Sequence, residues 1–368
     1  MRKFNIRQQI GKLYLLTSVG YFQIAGASWV ALLAMRGFSL LEIGMLESIF
    51  HIVSCIFEIP SGVAADVFGR KKTMVMSQLA SLLSGVMMVW SEGFWATAFA
   101  IGFSALSYNL ASGTREALAY DSLKLVGKEN EYNTFAATDM MLYRIANSTS
   151  TLCAGLALFL GFRKAYTVDI LFTLAALFIA CSLKEVTIGE KTGKEKVSCR
   201  LVNTVRESWH FLFFNKKIRS IMIINAVIGA VSTLVLFFLQ AKLPLSGLNQ
   251  GMLGPVLFLM GMGAALGSKA TSFFSGVSYK KVVLISSFGV AVSFLMTFTQ
   301  SPALMICGGF LGAFVDDFLE VRTDVLINEM ISSEQRATLI SVNSFTFSIV
   351  MIILSTWMGG LWDSFMVG

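Results

Sequence analysis

An apolar stretch of the sequence between residues 303 and 327 contains four carboxylates. At about 100° of rotation per residue of an α-helix, all four fall on one face that is about 100° wide. They are Asp316, Asp317, Glu320 and Asp324. An ionised side chain at membrane depth costs about 2.5–3.5 kcal/mol on insertion scales, so such a stripe indicates a function. Carboxylates this close repel one another when ionised, so at least one of them binds a proton or another cation more readily. Coupling to a proton or cation gradient requires this property.

Ionisable residues also interrupt other apolar stretches. The further candidates for a coupling or substrate cavity are Arg115, Glu116, Glu47, His51, Asp139 and Arg144. Glu47 and His51 are four residues apart, so on a helix they can form either a proton relay or a structural contact with another helix. The structural alternative for the acidic stripe is an ion-pair network with Arg115, Arg144 or Lys269.

Membrane-spanning helices must position these residues. The chain has 368 residues, of which 55% are hydrophobic and 14% are charged, and its mean hydropathy is +0.70. An average soluble domain carries about 25% charged residues, so an ordinary water-soluble enzyme and a disordered chain are excluded. Eleven stretches are long and apolar enough to cross a bilayer as helices. They are residues 11–35, 40–65, 73–91, 94–119, 133–160, 165–183, 218–240, 250–274, 281–299, 303–327 and 336–361.

The basic residues give these spans an orientation. If the N-terminus is cytoplasmic, the outer loops contain only four of the 29 Lys and Arg residues. These four are Arg36, Arg163, Lys164 and Lys242. This positive-inside bias predicts a multi-pass protein of the cell membrane with a cytoplasmic N-terminus. It also explains the net charge of +7 without a nucleic-acid partner.

A motif between the second and third spans resembles the signature of a transporter family. Residues 58–72 read EIPSGVAADVFGRKK. They are similar to the G-x-x-x-D-[RK]-x-G-[RK]-[RK] signature of the major facilitator superfamily (MFS), in its usual place after the second helix. Residues 112–123 and 328–338 resemble a bacterial branch of that family, and the resemblance covers essentially the whole chain. The sequence departs from the pattern at Val67, where a basic residue is usual, and the fifth span lacks the Gly-Pro pair of many drug exporters.

The resemblance implies an all-α MFS fold of two six-helix bundles related by a pseudo-twofold axis, with about 11 membrane helices in this chain. It implies a cytoplasmic gating motif made of Gly62, Asp66, Gly69, Arg70, Lys71 and Asp121. Asp66 is expected to accept backbone N–H groups near residues 332–333, at the start of the eleventh span. Arg70 is expected to pair with Asp121. In the alternative interpretation, the basic residues of the motif only set the topology.

The predicted domains follow from an internal repeat. A shift that places Gly62 on Gly267 also superimposes two charged loops, which suggests a parallel repeat of the kind that transporters use. We therefore expect an N-terminal bundle at 1–183, a cytoplasmic linker at 184–217 and a C-terminal bundle at 218–368 in which a twelfth helix is absent.

The same shift carries Arg115 onto Glu320. If the two residues meet across the repeat axis, they would form a salt bridge that closes the cytoplasmic side. The alternative is that Arg115 pairs with Glu116 or Asp121 within its own bundle.

These features predict a secondary active transporter of small molecules that is driven by a proton or cation gradient and works by alternating access. A carboxylate-rich cavity favours cationic or amphiphilic substrates and is consistent with their efflux. The sequence has no Walker A motif, metal cluster or nucleophile triad, so we expect no enzyme activity, no cofactor and no metal. The expected partners are the substrate, the ion gradient and the lipid bilayer, and we expect a monomer.

Two alternatives to this function stay open at the level of the sequence. The first is a truncated, non-transporting paralogue that acts as a membrane sensor or interaction protein. The second is a channel or lipid scramblase, which would show flux without coupling to a gradient.

The orientation can be tested with single cysteines in intact cells, after the five native cysteines are replaced. Lys164→Cys should react with a membrane-impermeant maleimide, because its loop is predicted to lie outside. Lys194→Cys, in the predicted linker, should react only after the cells are permeabilised. The reverse labelling pattern would overturn the predicted orientation.

Overall fold

The computed structural model describes residues 4–186, 216–274, 276–330 and 336–366, and every regular element in these ranges is helical. The first nine helices are α1 (Ile6–Gly20), α2 (Trp29–Met35), α3 (Leu40–Phe68), α4 (Arg70–Trp90), α5 (Gly93–Ala111), α6 (Thr114–Lys124), α7 (Tyr132–Leu152), α8 (Ala154–Leu160) and α9 (Phe162–Ser182). The remaining described helices are α10 (Lys216–Leu245), α11 (Leu253–Ala270), α12 (Tyr279–Met296), α13 (Pro302–Met330) and α14 (Arg336–Met366).

Each predicted span coincides with one helix or with two helices that a short interruption separates. The first span consists of α1 and α2, the fourth of α5 and α6, and the fifth of α7 and α8. The fourth span is interrupted at Gly113, which has a φ of 70° that glycine adopts without strain. The predicted linker lies mostly outside the described residues.

The described helices have the length and composition of membrane spans. Seven of them include a stretch that is long and apolar enough to cross a bilayer. These stretches are Leu40–Glu58, Arg70–Trp90, Phe162–Ser182, Lys216–Leu245, Gln250–Ala270, Tyr279–Met296 and Val342–Phe365. At most half of each apolar window is buried within the protein. The remaining apolar side chains therefore need a non-aqueous surrounding, which a lipid bilayer supplies.

By contact, the chain forms two compact units. The first unit comprises Met1–Ala27, Ile56–Cys153 and Leu160–Asn203. The second unit comprises Ser28–Cys55, Ala154–Phe159 and Thr204–Gly368. This division differs from the predicted boundaries, because residues 28–55 and 154–159 contact the C-terminal half. The prediction of two six-helix bundles stays a prediction.

The first unit is built around α1, α4, α6, α7 and α9. Helix α4 packs against α5 and α9, and α1 packs against α7 and α9. Its core contains Leu13, Met74, Leu118, Phe135 and Ala180, each of which is at least nine-tenths buried. Full burial of a large apolar side chain contributes about 1.5–3 kcal/mol relative to water. Within lipid, close packing replaces much of that driving force.

The second unit depends on glycines at its closest helix contact. Helix α11 packs against α13, and Gly263 and Gly267 face the backbone carbonyls of Phe310 and Phe314. A Cβ atom at either glycine would overlap these oxygens. Small residues of this kind let helix backbones approach closely where lipid provides no hydrophobic drive for association.

The first half of α3, up to Cys55, belongs to the second unit because of a similar contact with α14. A Cβ atom at Gly44 would overlap the carbonyl group of Ser355. The Ser48 hydroxyl donates to the carbonyl of Ile352 at 2.8 Å. The carboxylate of Asp363 accepts the N–H groups of two residues in the first turn of α3, Leu40 at 2.9 Å and Leu41 at 2.8 Å. These contacts run along about two turns of α3 and about three turns of α14.

Two glycines of α11 provide a matched test of this packing. Gly267→Ala should destabilise the protein by about 1–3 kcal/mol, because the added methyl group overlaps the carbonyl of Phe314. Gly261→Ala should have no destabilising effect, because a Cβ atom there meets no described atom within 4 Å. Thermal unfolding of both variants in detergent measures the difference. Equal melting temperatures would show that the glycine contact is not tight.

Candidate functional site

The loop between α3 and α4 carries the gating motif that the resemblance implied. Gly69 separates the two helices and has a φ of 98°, which glycine adopts without strain. The side chain of Arg70 forms an ion pair with Asp121 on α6 and donates to the carbonyl of Ala117. The expected pair is therefore present, and it joins the start of α4 to α6 within the first unit. Its role in gating stays a prediction.

A carboxylate that was not predicted completes this loop. Glu185 accepts the backbone N–H groups of Arg70 at 3.0 Å and of Lys71 at 3.1 Å. It therefore binds the first turn of α4, where the helix dipole favours an anion. The amide of Gln9 holds the backbone of the adjacent residue, Lys184, with bonds of 2.9 Å and 3.1 Å. Residues predicted as the start of a linker are thus part of the motif's support.

Two other members of the motif are exposed. The side chain of Asp66 lies near the end of α3, and the partner positions expected for it, 332–333, lie outside the described residues. A Cβ atom at Gly62 would meet no described atom within 4 Å, so this glycine makes no close helix contact in the described ranges. The role of Asp66 as a helix cap stays a prediction.

A buried ionic cluster in the first unit brings three of the predicted site residues together. Arg115 pairs with Glu116 at 2.9 Å and with Asp139 at 3.1 Å. Asp139 is 4% exposed and accepts a 2.5 Å hydrogen bond from the hydroxyl of Thr17. The guanidinium carbon of Arg115 lies 5.4 Å from the ring centre of Tyr21. Helices α1, α6 and α7 therefore meet at this cluster.

The cluster retains unused hydrogen-bonding capacity. Within the described residues, the buried atoms Arg115 Nε and Glu116 Oε2 have no hydrogen-bond partner. Such atoms are rare in native proteins and are typical of sites that hold an ion, water or substrate. Arg115 pairs with Glu116 inside its own unit. This is the pairing that the alternative to the Arg115–Glu320 salt bridge predicted. The salt bridge between Arg115 and Glu320 stays a prediction.

The acidic stripe lies on α13, which is one continuous helix in the second unit. Asp316 and Asp317 are half-buried, whereas Glu320 and Asp324 are exposed. Asp316 is hydrogen-bonded to the side chain of Ser232 on α10. Its carboxylate also interacts electrostatically with those of Glu320 and Asp317. The exposure of the carboxylates therefore increases along the stripe, from Asp316 to Asp324.

A glycine on α10 faces the half-buried carboxylate of Asp316. A Cβ atom on Gly229 of α10 would lie 3.3 Å from Asp316 Oδ1. Arg322, on the same helix, donates to the carbonyl of Val277 at 2.8 Å. No set of three or more His, Cys, Asp or Glu side chains in the described ranges has metal-binding geometry.

The predicted Glu47–His51 pair also forms. Nε2 of His51 lies 3.3 Å from Glu47 Oε1, and Nδ1 of His51 lies 3.1 Å from the hydroxyl of Ser348 on α14. The ring of His51 is also flanked by Phe50 and Phe347. Both imidazole nitrogens are therefore bonded, which suits a proton relay and an interhelical contact equally. On α7, Arg144 is exposed.

Three carboxylates that bind backbone amides of distant segments were not predicted as site residues: Glu185, Asp363 and Asp169. Asp169 lies in the apolar sequence of α9 and is 6% exposed. Its position in an apolar stretch is a signal that the sequence did contain, since ionised groups at membrane depth are uncommon. The partners of all three residues are distant in sequence and could not be inferred from spacing.

Comparison with known proteins assigns the sequence to a family. The family model described as Major Facilitator Superfamily matches residues 13–278. A Bacillus subtilis (strain 168) protein described as "Uncharacterized MFS-type transporter YxaM" is 24% identical over 322 residues, which cover 86% of this chain and 79% of that protein.

Solved structures show the same fold at low identity. The nucleoside transporter NupG has a TM-score of 0.72 at 15% identity, with 98% of both chains covered. A bacterial homolog to the human lysosomal transporter Spinster has a TM-score of 0.72 at 14% identity and covers 98% of this chain and 82% of its own. A D-xylose-proton symporter has a TM-score of 0.64 at 12% identity, with 96% and 88% covered.

The energetic role of the ionic cluster can be measured by removing its cation. Arg115→Met should destabilise the protein by about 3–5 kcal/mol, because it leaves Asp139 as a buried and unpaired carboxylate. Adding Asp139→Asn should restore part of that loss. Arg144→Met, at an exposed position of α7, is the matched control and should change stability by less than about 0.5 kcal/mol. Unfolding of Arg115→Met at the same temperature as the control would contradict the assignment.

Proposed function

The chain belongs to the Major Facilitator Superfamily, and we propose that it is a secondary active transporter that couples movement of a small molecule to a proton or cation gradient. The family assignment makes it a multi-pass membrane protein with transport function rather than an enzyme. Coupling, substrate class, direction and residence in the cell membrane with a cytoplasmic N-terminus are parts of the proposal.

The observation that carries the proposal is the environment of Asp316. This carboxylate lies well inside the continuous helix α13 and is bonded to Ser232. Gly229 leaves space beside it, and two further carboxylates act on it electrostatically. Like charges at short range favour binding of a proton or another cation at the shared site. A group with that property at membrane depth is what gradient coupling requires.

The ionic cluster of the first unit supplies a second polar site. Arg115, Glu116 and Asp139 carry one positive and two negative charges, so the cluster is acidic when all three are ionised. Both units thus have an acidic site. This excess of carboxylates favours a cationic or amphiphilic substrate, and we propose efflux as the direction of transport. One structural neighbour is a D-xylose-proton symporter, which supports proton coupling in a protein of this fold.

Transport can be measured with purified protein in liposomes, with ethidium as the cationic probe and an imposed proton gradient. Wild-type protein should accumulate ethidium against its gradient. Asp316→Asn and Asp317→Asn should each reduce gradient-driven accumulation to the level of empty liposomes, because the titrating carboxylates are neutralised. Glu329→Gln, an exposed position on the same helix, is the control and should transport normally.

The same assay separates the alternatives. If both Asn variants keep the wild-type pH dependence, the stripe is structural and the coupling site is wrong. Ethidium flux that does not depend on the imposed proton gradient would indicate a channel or scramblase. An absence of flux for ethidium, tetraphenylphosphonium and a bis-benzimide dye under both proton and sodium gradients would favour the non-transporting alternative.

A further inference from the structure

The first membrane span is interrupted, and side chains of other spans bind the interruption. Helix α1 ends at Gly20 and α2 begins at Trp29. A continuous helix would bond the intervening amides internally, and in a bilayer they require partners within the protein. The interruption therefore depends on acceptors that other helices provide.

Four consecutive amides at the interruption have such acceptors. The hydroxyl of Ser150 on α7 accepts the N–H of Gln23 at 2.9 Å. The carboxylate of Asp169 on α9 accepts the next three, from Ile24 at 2.7 Å, Ala25 at 3.0 Å and Gly26 at 2.9 Å. Hydrogen bonds to an ionised acceptor are among the stronger ones in proteins. Asp169 is consequently the main anchor of the interruption.

The interruption sets the position of an aromatic ring at the ionic cluster. Tyr21 is the residue that follows α1, and its carbonyl accepts from Ser150 at 3.4 Å. Its ring lies over the guanidinium of Arg115 and meets the ring of Tyr143 edge-on, with 4.7 Å between centroids. A cation is attracted to the face of an aromatic ring, and more strongly where water is excluded. The backbone conformation just after Tyr21 decides whether the ring can stay there.

We propose that Asp169 is a positioning residue of the transporter: it binds three amides of the interrupted first span and thereby holds the ring of Tyr21 over Arg115. The role in transport depends on the proposed function, whereas the positioning itself does not. Asp169 contacts neither Arg115 nor Asp139 in the described hydrogen bonds and ion pairs, so it acts on the cluster through the backbone of residues 21–26.

The direct test is hydrogen exchange of purified protein, measured by mass spectrometry on the peptide that covers residues 21–28. Asp169→Asn should accelerate exchange of these amides at least about tenfold, because an amide side chain replaces an ionised acceptor. Ser150→Ala should accelerate exchange of the Gln23 amide and serves as the milder variant if Asp169→Asn does not fold. Thr167→Val, at an exposed position of α9, is the control and should match wild-type exchange. Unchanged exchange in folded Asp169→Asn would overturn the proposal. If Asp169→Asn does not fold, unchanged exchange in Ser150→Ala would overturn it.

A double-mutant cycle with Tyr21→Ala distinguishes positioning from general stability. If Asp169 acts through Tyr21, Asp169→Asn should raise the apparent KM for ethidium several-fold in the wild-type background and leave it unchanged in the Tyr21→Ala background. The same non-additivity should appear in melting temperature, which requires no transport. Additive effects in both readouts would show that Asp169 is only structural and would overturn the proposal. Coupling in melting temperature, together with an absence of transport of all three cationic probes under both gradients, would retain the positioning and reject the proposed function.

Discussion

Every backbone N–H and C=O group at membrane depth must find its partner inside the protein, and this constraint shapes each irregular feature of the chain. A straight helix meets it automatically. Where the first span is interrupted, four amides would be left without acceptors, and Asp169 and Ser150 provide them. At the starts of α3 and α4, the carboxylates of Asp363 and Glu185 do the same for the first-turn amides. Backbone amides that no helix satisfies are therefore bound by side chains from distant parts of the sequence.

A second consequence of the membrane environment is that tight packing has to supply much of the cohesion between helices. Lipid chains are as apolar as leucine, so contact between backbones contributes more than burial of area. The glycines at 44, 263 and 267 provide such contacts in the second unit. Buried charges also need partners within the protein. Arg115 and Asp139 compensate each other, because either one alone would carry a large desolvation cost.

The sequence predicted the elements better than their connections. Hydropathy located every span, because a run of about 20 apolar residues is a direct physical requirement. Side chains one helical turn apart, such as Glu47 and His51, were also predictable, since helix geometry alone brings them together. The Arg70–Asp121 pair was expected only through family resemblance. Helical rotation indicated the face of Asp316 but not its bond to Ser232, which depends on how α10 and α13 pack.

Contacts between distant segments were not predictable. Asp169 was not predicted as a site residue, because its partners are amides more than 140 residues away, and backbone groups leave no trace in composition. For the same reason, hydropathy showed the first span as continuous. The division by contact also could not be inferred, since the first half of α3 joins the second unit through Gly44 and Ser48 rather than through its place in the chain.

The binding of Glu185 to the first turn of α4 has a consequence for dividing the polypeptide. Composition alone would place a cut between the halves immediately after the sixth span, at residue 183. Such a cut would remove Glu185 from the fragment whose loop it caps, together with Lys184, which Gln9 holds. Val186 is also buried against the first unit, with 4% of its surface exposed. Separately expressed halves meant to reassemble should therefore be divided after Val186, so that the N-terminal fragment keeps its own cap.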